Sequence, residues 1–190
     1  MKISEKYADY ILEETKKLLE IDSPSGYTKN VAEYVMEEYH KLGYKADMTI
    51  KGGVLVDLGG EDESNAVMLD THIDTLGGMV SEIKADGNLR IVPIGGLNAN
   101  NTEAENVRVV TRDGKIYTGV FQLDNASVHV NKEYSEKKRS FACMEVLLDE
   151  MVSTKDDTRK LGIDVGDIVC FDPRTVITPS GYIKSRFLDD

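Results

Sequence analysis

A histidine and an aspartate, His72 and Asp74, lie two residues apart directly after an apolar run at residues 66–69. In an extended chain such residues point to the same side, and ligands of open α/β sheets bind at the carboxyl ends of strands. Imidazole is a good ligand for zinc or cobalt, and a neighbouring carboxylate fixes its tautomer and raises its basicity. The pair therefore predicts a metal ligand, although His-x-Asp alone is more often a structural histidine beside a solvated aspartate.

A pair of carboxylates, Asp189 and Asp190, follows a patterned segment at residues 181–184. One carboxylate offers two oxygens, so a pair of this kind can bridge two metal ions. A solvated acidic segment is the alternative, and it is the commoner one in a chain with 34 Asp and Glu against 23 Lys and Arg.

The composition excludes several classes of partner. The formal net charge is −11 and the pI is about 4.8, whereas duplex nucleic acid and anionic membranes need clustered cations. The apolar runs are too short to span a bilayer, and the N-terminal residues lack the apolar stretch of a secretory signal. Two cysteines in unrelated contexts are typical of a reduced compartment. We therefore expect a cytoplasmic protein with no nucleic-acid partner and no membrane partner.

Hydrophobic spacing predicts the elements that hold these residues. Apolar stripes at helical spacing predict helices over 5–21 and 28–42, and period-two segments at 46–50 and 54–58 predict a hairpin. The continuous apolar run at 66–69 predicts a strand buried on both faces, with His72 at its carboxyl end.

From Gly77 onward the pattern changes to short strands separated by Asp-Gly and Gly-Asn turns, which is typical of a small β-barrel or sandwich. The predicted elements are strands at 79–84, 89–93, 107–111, 116–121, 128–130 and 168–171, a mobile charged loop at 132–139 and a helix at 154–161. We therefore predict an α/β chain with one unit at 1–77 and 178–190, interrupted by a β-rich unit at 78–177.

Several short motifs occur in the order and spacing of one family. They are DSPSG at 22–26, GGV at 52–54, MLDTHIDTLGGMV at 68–80, IGG at 94–96, DGKIYTGV at 113–120, LGIDVGD at 161–167 and GYIKSRFLDD at 181–190. Together they resemble the dinuclear metallo-aminopeptidases that include glutamyl aminopeptidases and the tetrahedral aminopeptidases, once also labelled endoglucanase M. The resemblance covers essentially the whole chain.

This resemblance implies a role for each site residue. His72 would be a terminal metal ligand, Asp74 the catalytic residue that supports it, and Asp189 the carboxylate that bridges two zinc or cobalt ions. The family's general base, a glutamate, lies beyond the bridging aspartate. Thr75 departs from the pattern, since an acidic residue is usual there.

The resemblance also implies a partial αβα metallopeptidase sheet domain, interrupted by an inserted β-barrel-like dimerisation domain. Peptides would be the substrates, and dimers would assemble into a dodecamer. Because the patterned segment at 181–190 is the last one, we expect the N-terminal portion of a longer aminopeptidase. Two alternatives stay open: a catalytically incomplete chain that acts as an assembly or binding module, and a relative from another branch of the same superfamily.

Overall fold

A computed structural model describes residues 3–188 and divides the chain into two compact units. The first unit comprises the chain up to Thr75 together with the chain from Pro173 onward. The second is Leu76–Asp172. No helix in the described part of the chain is both long enough and apolar enough to cross a lipid bilayer.

Helices and strands follow one another as a mixed α/β chain. In order they are α1 (Ile3–Glu20), α2 (Lys29–Lys41), β1 (Lys45–Met48), β2 (Val54–Asp57), β3 (Gly77–Ile83), β4 (Leu89–Ile94), β5 (Glu105–Val110), β6 (Ile116–Leu123), β7 (Met144–Leu148), α3 (Lys155–Leu161), β8 (Ile168–Phe171), β9 (Val176–Ile177) and β10 (Ile183–Lys184). Short 3-10 turns lie at Glu63–Asn65 and Ala99–Asn101.

The first unit is built from α1, α2 and two small hairpins, β1 with β2 and β9 with β10. The Tyr34 hydroxyl on α2 donates a 2.6 Å hydrogen bond to Glu14 on α1, which ties the two helices together. Both predicted helices and the predicted first hairpin are confirmed.

The predicted buried strand at 66–69 is wrong for this structure. These residues form no strand, and Val67 and Leu69 are each 85% exposed. A strand is stable only when a neighbour satisfies its backbone donors and acceptors, and no strand among residues 3–188 pairs with this run. His72 accordingly lies in a segment without regular secondary structure rather than at the end of a strand.

The second unit is a closed antiparallel barrel with the strand order β3-β4-β7-β6-β5-β8, closed by pairing between β3 and β8. The barrel alternative is thus confirmed over the sandwich. Sequence analysis missed β7, and 128–130 is not a strand: the amides of Val130 and Asn131 both donate to the Ser127 carbonyl, which makes a turn.

Aromatic side chains fill the barrel interior. Phe121 is fully buried, with ring centroids 5.6 Å from Phe171 and 5.7 Å from Phe141. Gly119 on β6 allows close strand approach, because an added Cβ would stand 2.5 Å from the Leu147 carbonyl oxygen of β7. The interior is therefore closely packed and sensitive to loss of volume.

The connection between β6 and β7, residues 124–143, includes the charged segment at 132–139 for which a mobile loop is predicted, and ion pairs connect this segment to neighbouring residues. We call the whole connection the β6–β7 loop. The Arg139 guanidinium donates to both carboxylate oxygens of Glu103, at 2.8 and 3.0 Å, and Lys137 pairs with Asp124 at 3.1 Å. Charged residues on which the prediction of a mobile loop depends therefore take part in specific ion pairs.

One buried carboxyl stands before β8. Asp167 Oδ2 accepts a 2.8 Å hydrogen bond from the Asp164 amide, whereas its Oδ1 is buried with no hydrogen-bond partner. Burial raises the pKa of Asp167 above its ordinary value, because the hydrogen bond from Asp164 replaces only part of the hydration that the ionised form loses.

Candidate active site

The turn between α1 and α2 is bound to the segment that carries the histidine. The Thr75 amide donates to the Ser23 carbonyl at 2.8 Å, and the Ser25 amide donates to the Thr75 carbonyl at 3.3 Å. These two bonds form a parallel bridge between Pro24 and Thr75. The proline-containing turn therefore fixes the backbone next to Asp74.

Side chains continue this connection toward the imidazole. His72 Nδ1 lies 3.2 Å from Asp74 Oδ1, and the Ser25 hydroxyl donates to Asp74 Oδ2. A carboxylate at this position directs the ring proton to Nδ1 and places the ring's lone pair on Nε2. The arrangement is the carboxylate–histidine pair that orients metal-binding histidines in many sites.

A pocket of about 140 Å³ adjoins the pair within the first unit. Its walls come from the last turns of α1, from the His-x-Asp segment and from the end of the described chain. The lining residues are Thr15, Leu18, Leu19, His72, Ile73, Asp74, Thr75, Phe187 and Leu188. The pocket thus brings the residues of the first predicted metal motif beside the last residues before the second.

The described residues include no group of three or more His, Cys, Asp or Glu that could hold a metal ion. His72 and Asp74 fit one ligand and its orienting carboxylate. Asp189, predicted to bridge two metals, lies outside the described residues.

Comparison with known proteins decides the family. The model of the M42 glutamyl aminopeptidase family matches residues 52–190. The chain belongs to this family. The Bacillus subtilis protein YhfE, a predicted aminopeptidase, is 46% identical over 179 residues, which are 94% of this chain and 52% of YhfE.

Solved structures show that the chain shares the fold of known aminopeptidases and peptidases. An aminopeptidase from the archaeon Desulfurococcus kamchatkensis superposes with a TM-score of 0.79 at 31% identity, covering 91% of this chain and 46% of that one. The TET1 peptidase of Pyrococcus horikoshii, which can assemble into a tetrahedron or a large octahedral shell, gives 0.77 at 24% identity, with 94% and 52% covered. The chain spans about half the length of the relatives it matches.

For this M42 chain, sequence analysis placed His72 and Asp74 side by side but gave Ser25 no role. In the sequence, Ser25 is part of the DSPSG turn at 22–26 that resembles a family motif. No spacing rule could have joined it to Asp74, since 49 residues separate them and the contact depends on the tertiary bridge at Thr75.

Proposed function

We propose that this chain is the N-terminal portion of a metal-dependent aminopeptidase that releases the N-terminal residue of peptides, with two divalent cations, zinc or cobalt. The observation that carries this proposal, beside family membership, is the His72–Asp74 pair at 3.2 Å on the wall of the pocket. Imidazole with carboxylate oxygens suits either metal, so the donor set does not favour one of them.

Three residues of the chain would have distinct roles in holding the cations. His72 would bind one cation through Nε2, and Asp74 would hold the ring in the required tautomer and orientation. Asp189, in the motif that resembles the family's second metal motif, would bridge the two cations. Such cations supply Lewis-acid activation of water and of the peptide carbonyl.

Proton transfer needs a further group. Asp74 is a poor general base, because its carboxylate already contacts His72 and Ser25. By family resemblance a glutamate beyond Asp190 would take that role. We therefore propose that the 190-residue chain alone hydrolyses no aminoacyl substrate and binds no dinuclear metal centre tightly.

The second candidate function is an assembly or binding module. It is favoured by the barrel of Leu76–Asp172, which is closed and well packed by itself. We propose that this barrel is a dimerisation domain, as the family resemblance implies, and that the full-length protein forms dimers that build a dodecamer in the cytoplasm.

An activity assay separates the two candidates. Release of p-nitroaniline from a panel of aminoacyl-p-nitroanilides is measured for the full-length gene product and for the 190-residue chain, each with added Zn²⁺ or Co²⁺. We expect turnover only from the full-length protein. Absence of turnover by the metal-loaded full-length protein on every substrate would contradict the aminopeptidase, and light scattering that shows a monomeric chain at high concentration would contradict the module.

A further inference from the structure

The hydroxyl of Ser25 reaches the His72 imidazole through the carboxylate of Asp74, and we infer that Ser25 is a positioning residue of the proposed metal site. The effect of Ser25 on metal binding rests on the proposed function, whereas the contacts of Ser25 with Asp74 and of Asp74 with His72 are present in the structure itself. Ser25 contacts Oδ2 of the carboxylate and His72 contacts Oδ1, so the two partners use different oxygens.

A second contact, to the oxygen that does not face the histidine, restricts the rotation of the Asp74 carboxylate. The terminal torsion of an aspartate side chain is broad, so a single contact leaves the carboxylate plane free to turn. The Asp74 side chain is 35% exposed, and water competes for its oxygens. A hydroxyl on Oδ2 removes that freedom and holds Oδ1 toward the imidazole.

Ser25 is itself held by the backbone. Its amide donates to the Thr75 carbonyl, and the Thr75 amide donates to Ser23, so the hydroxyl and the carboxylate are carried by two segments bound to each other. Pro24 between them has a fixed φ, which limits the conformations of the turn. The Ser25 hydroxyl therefore loses little conformational entropy when it forms its hydrogen bond to the Asp74 carboxylate.

The neighbouring Ser23 provides a matched control. It is fully buried in the same turn, and its hydroxyl donates to the Ile73 carbonyl at 3.4 Å rather than to a carboxylate. Ser23→Ala perturbs the turn without removing a contact to Asp74, whereas Ser25→Ala removes that contact at an exposed position.

The test is the tautomer of His72, read from the ring nitrogen shifts of the 190-residue chain by long-range ¹H–¹⁵N NMR. The chain has only three histidines, and His72→Gln assigns the ring. At a pH of about 8.5, above the ordinary pKa of imidazole, we expect the Nδ1–H form to predominate. Ser25→Ala should lower its fraction, whereas Ser25→Thr and Ser23→Ala should preserve it.

Two results would overturn the inference: a His72 ring that carries its proton mainly on Nε2 in the wild type, or an Nδ1–H fraction unchanged by Ser25→Ala. The amide spectrum identifies any variant that fails to fold. If Ser25→Ala does so, Ser25→Cys is used instead, because a thiol is only a weak donor, and it should also lower the Nδ1–H fraction.

Zinc titration of the same samples tests the metal role separately. We expect the His72 Nε2 signal to shift on addition of Zn²⁺, and Ser25→Ala to weaken that binding by up to about tenfold, at the low end for groups that orient a ligand. If the tautomer responds to Ser25→Ala as expected while Zn²⁺ leaves the His72 ring unchanged in the full-length protein, the positioning contact stands and the proposed metal site fails.

Discussion

Replacing Arg139 with lysine should release the β6–β7 loop without unfolding the barrel. The guanidinium makes four hydrogen bonds: two to the Glu103 carboxylate, at 2.8 and 3.0 Å, and two to the Tyr134 and Lys137 carbonyls, at 2.7 and 2.8 Å. It also lies 4.6 Å from the centroid of the Tyr134 ring. Lysine keeps the charge, but it cannot reproduce the planar fork.

The expected size follows from these contacts. A single ammonium group can keep the ion pair with Glu103 but loses at least two of the four hydrogen bonds. The pair is partly exposed, with 13% of the Arg139 and 24% of the Glu103 side chain accessible, so about 1 kcal/mol for each lost bond is appropriate. The loop should open more easily by about 2 kcal/mol, or about thirtyfold.

Amide hydrogen exchange of the loop measures this opening. The amides of Tyr134 and Lys137, which donate to carbonyls inside the loop, should exchange about thirtyfold faster in Arg139→Lys, while β5 and β6 stay protected. Lys138→Ala, which removes an exposed charge from the same loop, should leave these rates within about twofold. Unchanged exchange in Arg139→Lys would show that the guanidinium does not hold the loop.

Three further predictions concern stability. Phe121→Ala should lower the free energy of unfolding, measured with denaturant, by about 3–5 kcal/mol, because it leaves a cavity at the centre of the barrel. A decrease below about 1 kcal/mol would contradict the packing described. The hydrogen bond from Arg139 lowers the pKa of Glu103, so the stabilising effect of this ion pair is present above the ordinary glutamate pKa and is lost as the pH falls through the lowered one. The protection of the loop amides, corrected for their intrinsic exchange rates, should decrease over that range in the wild type, and a similar decrease in Glu103→Gln would contradict this assignment. Burial raises the pKa of Asp167, so the folded state holds this proton more tightly, and the free energy of unfolding falls as the pH rises from the ordinary pKa toward the raised one. The free energy of unfolding of Asp167→Asn should therefore increase relative to that of the wild type across this pH range, and a difference that is independent of pH would refute this.

Local sequence patterns predicted most of the elements of this fold, because local chemistry decides them. Helical periodicity and a break at Pro24 located α1 and α2, and Asp-Gly or Gly-Asn turns located the hairpins of the barrel. Helix α3 begins after Thr154, whose hydroxyl accepts a hydrogen bond from the Asp157 amide. Each of these interactions is complete within a few residues of sequence.

Features that local sequence patterns did not indicate depend on residues that are distant in sequence. The run at 66–69 has the composition of a buried strand, but burial depends on neighbouring strands that the described residues do not supply. The charges of Lys137 and Arg139 indicated a solvated loop, yet their acceptors, Asp124 and Glu103, lie 13 and 36 residues away. The contact of Ser25 was missed for the same reason.

His72 is proposed to bind a catalytic metal ion, and zinc retention tests this role most directly. The full-length protein and its His72→Ala variant are loaded with Zn²⁺ and dialysed exhaustively, and the ions kept per chain are counted by mass spectrometry. We expect two ions in the wild type and fewer in the variant, with an unchanged circular dichroism spectrum, because the exposed His72 contributes a ligand rather than core volume. Retention of two ions by the correctly folded variant would contradict the claim.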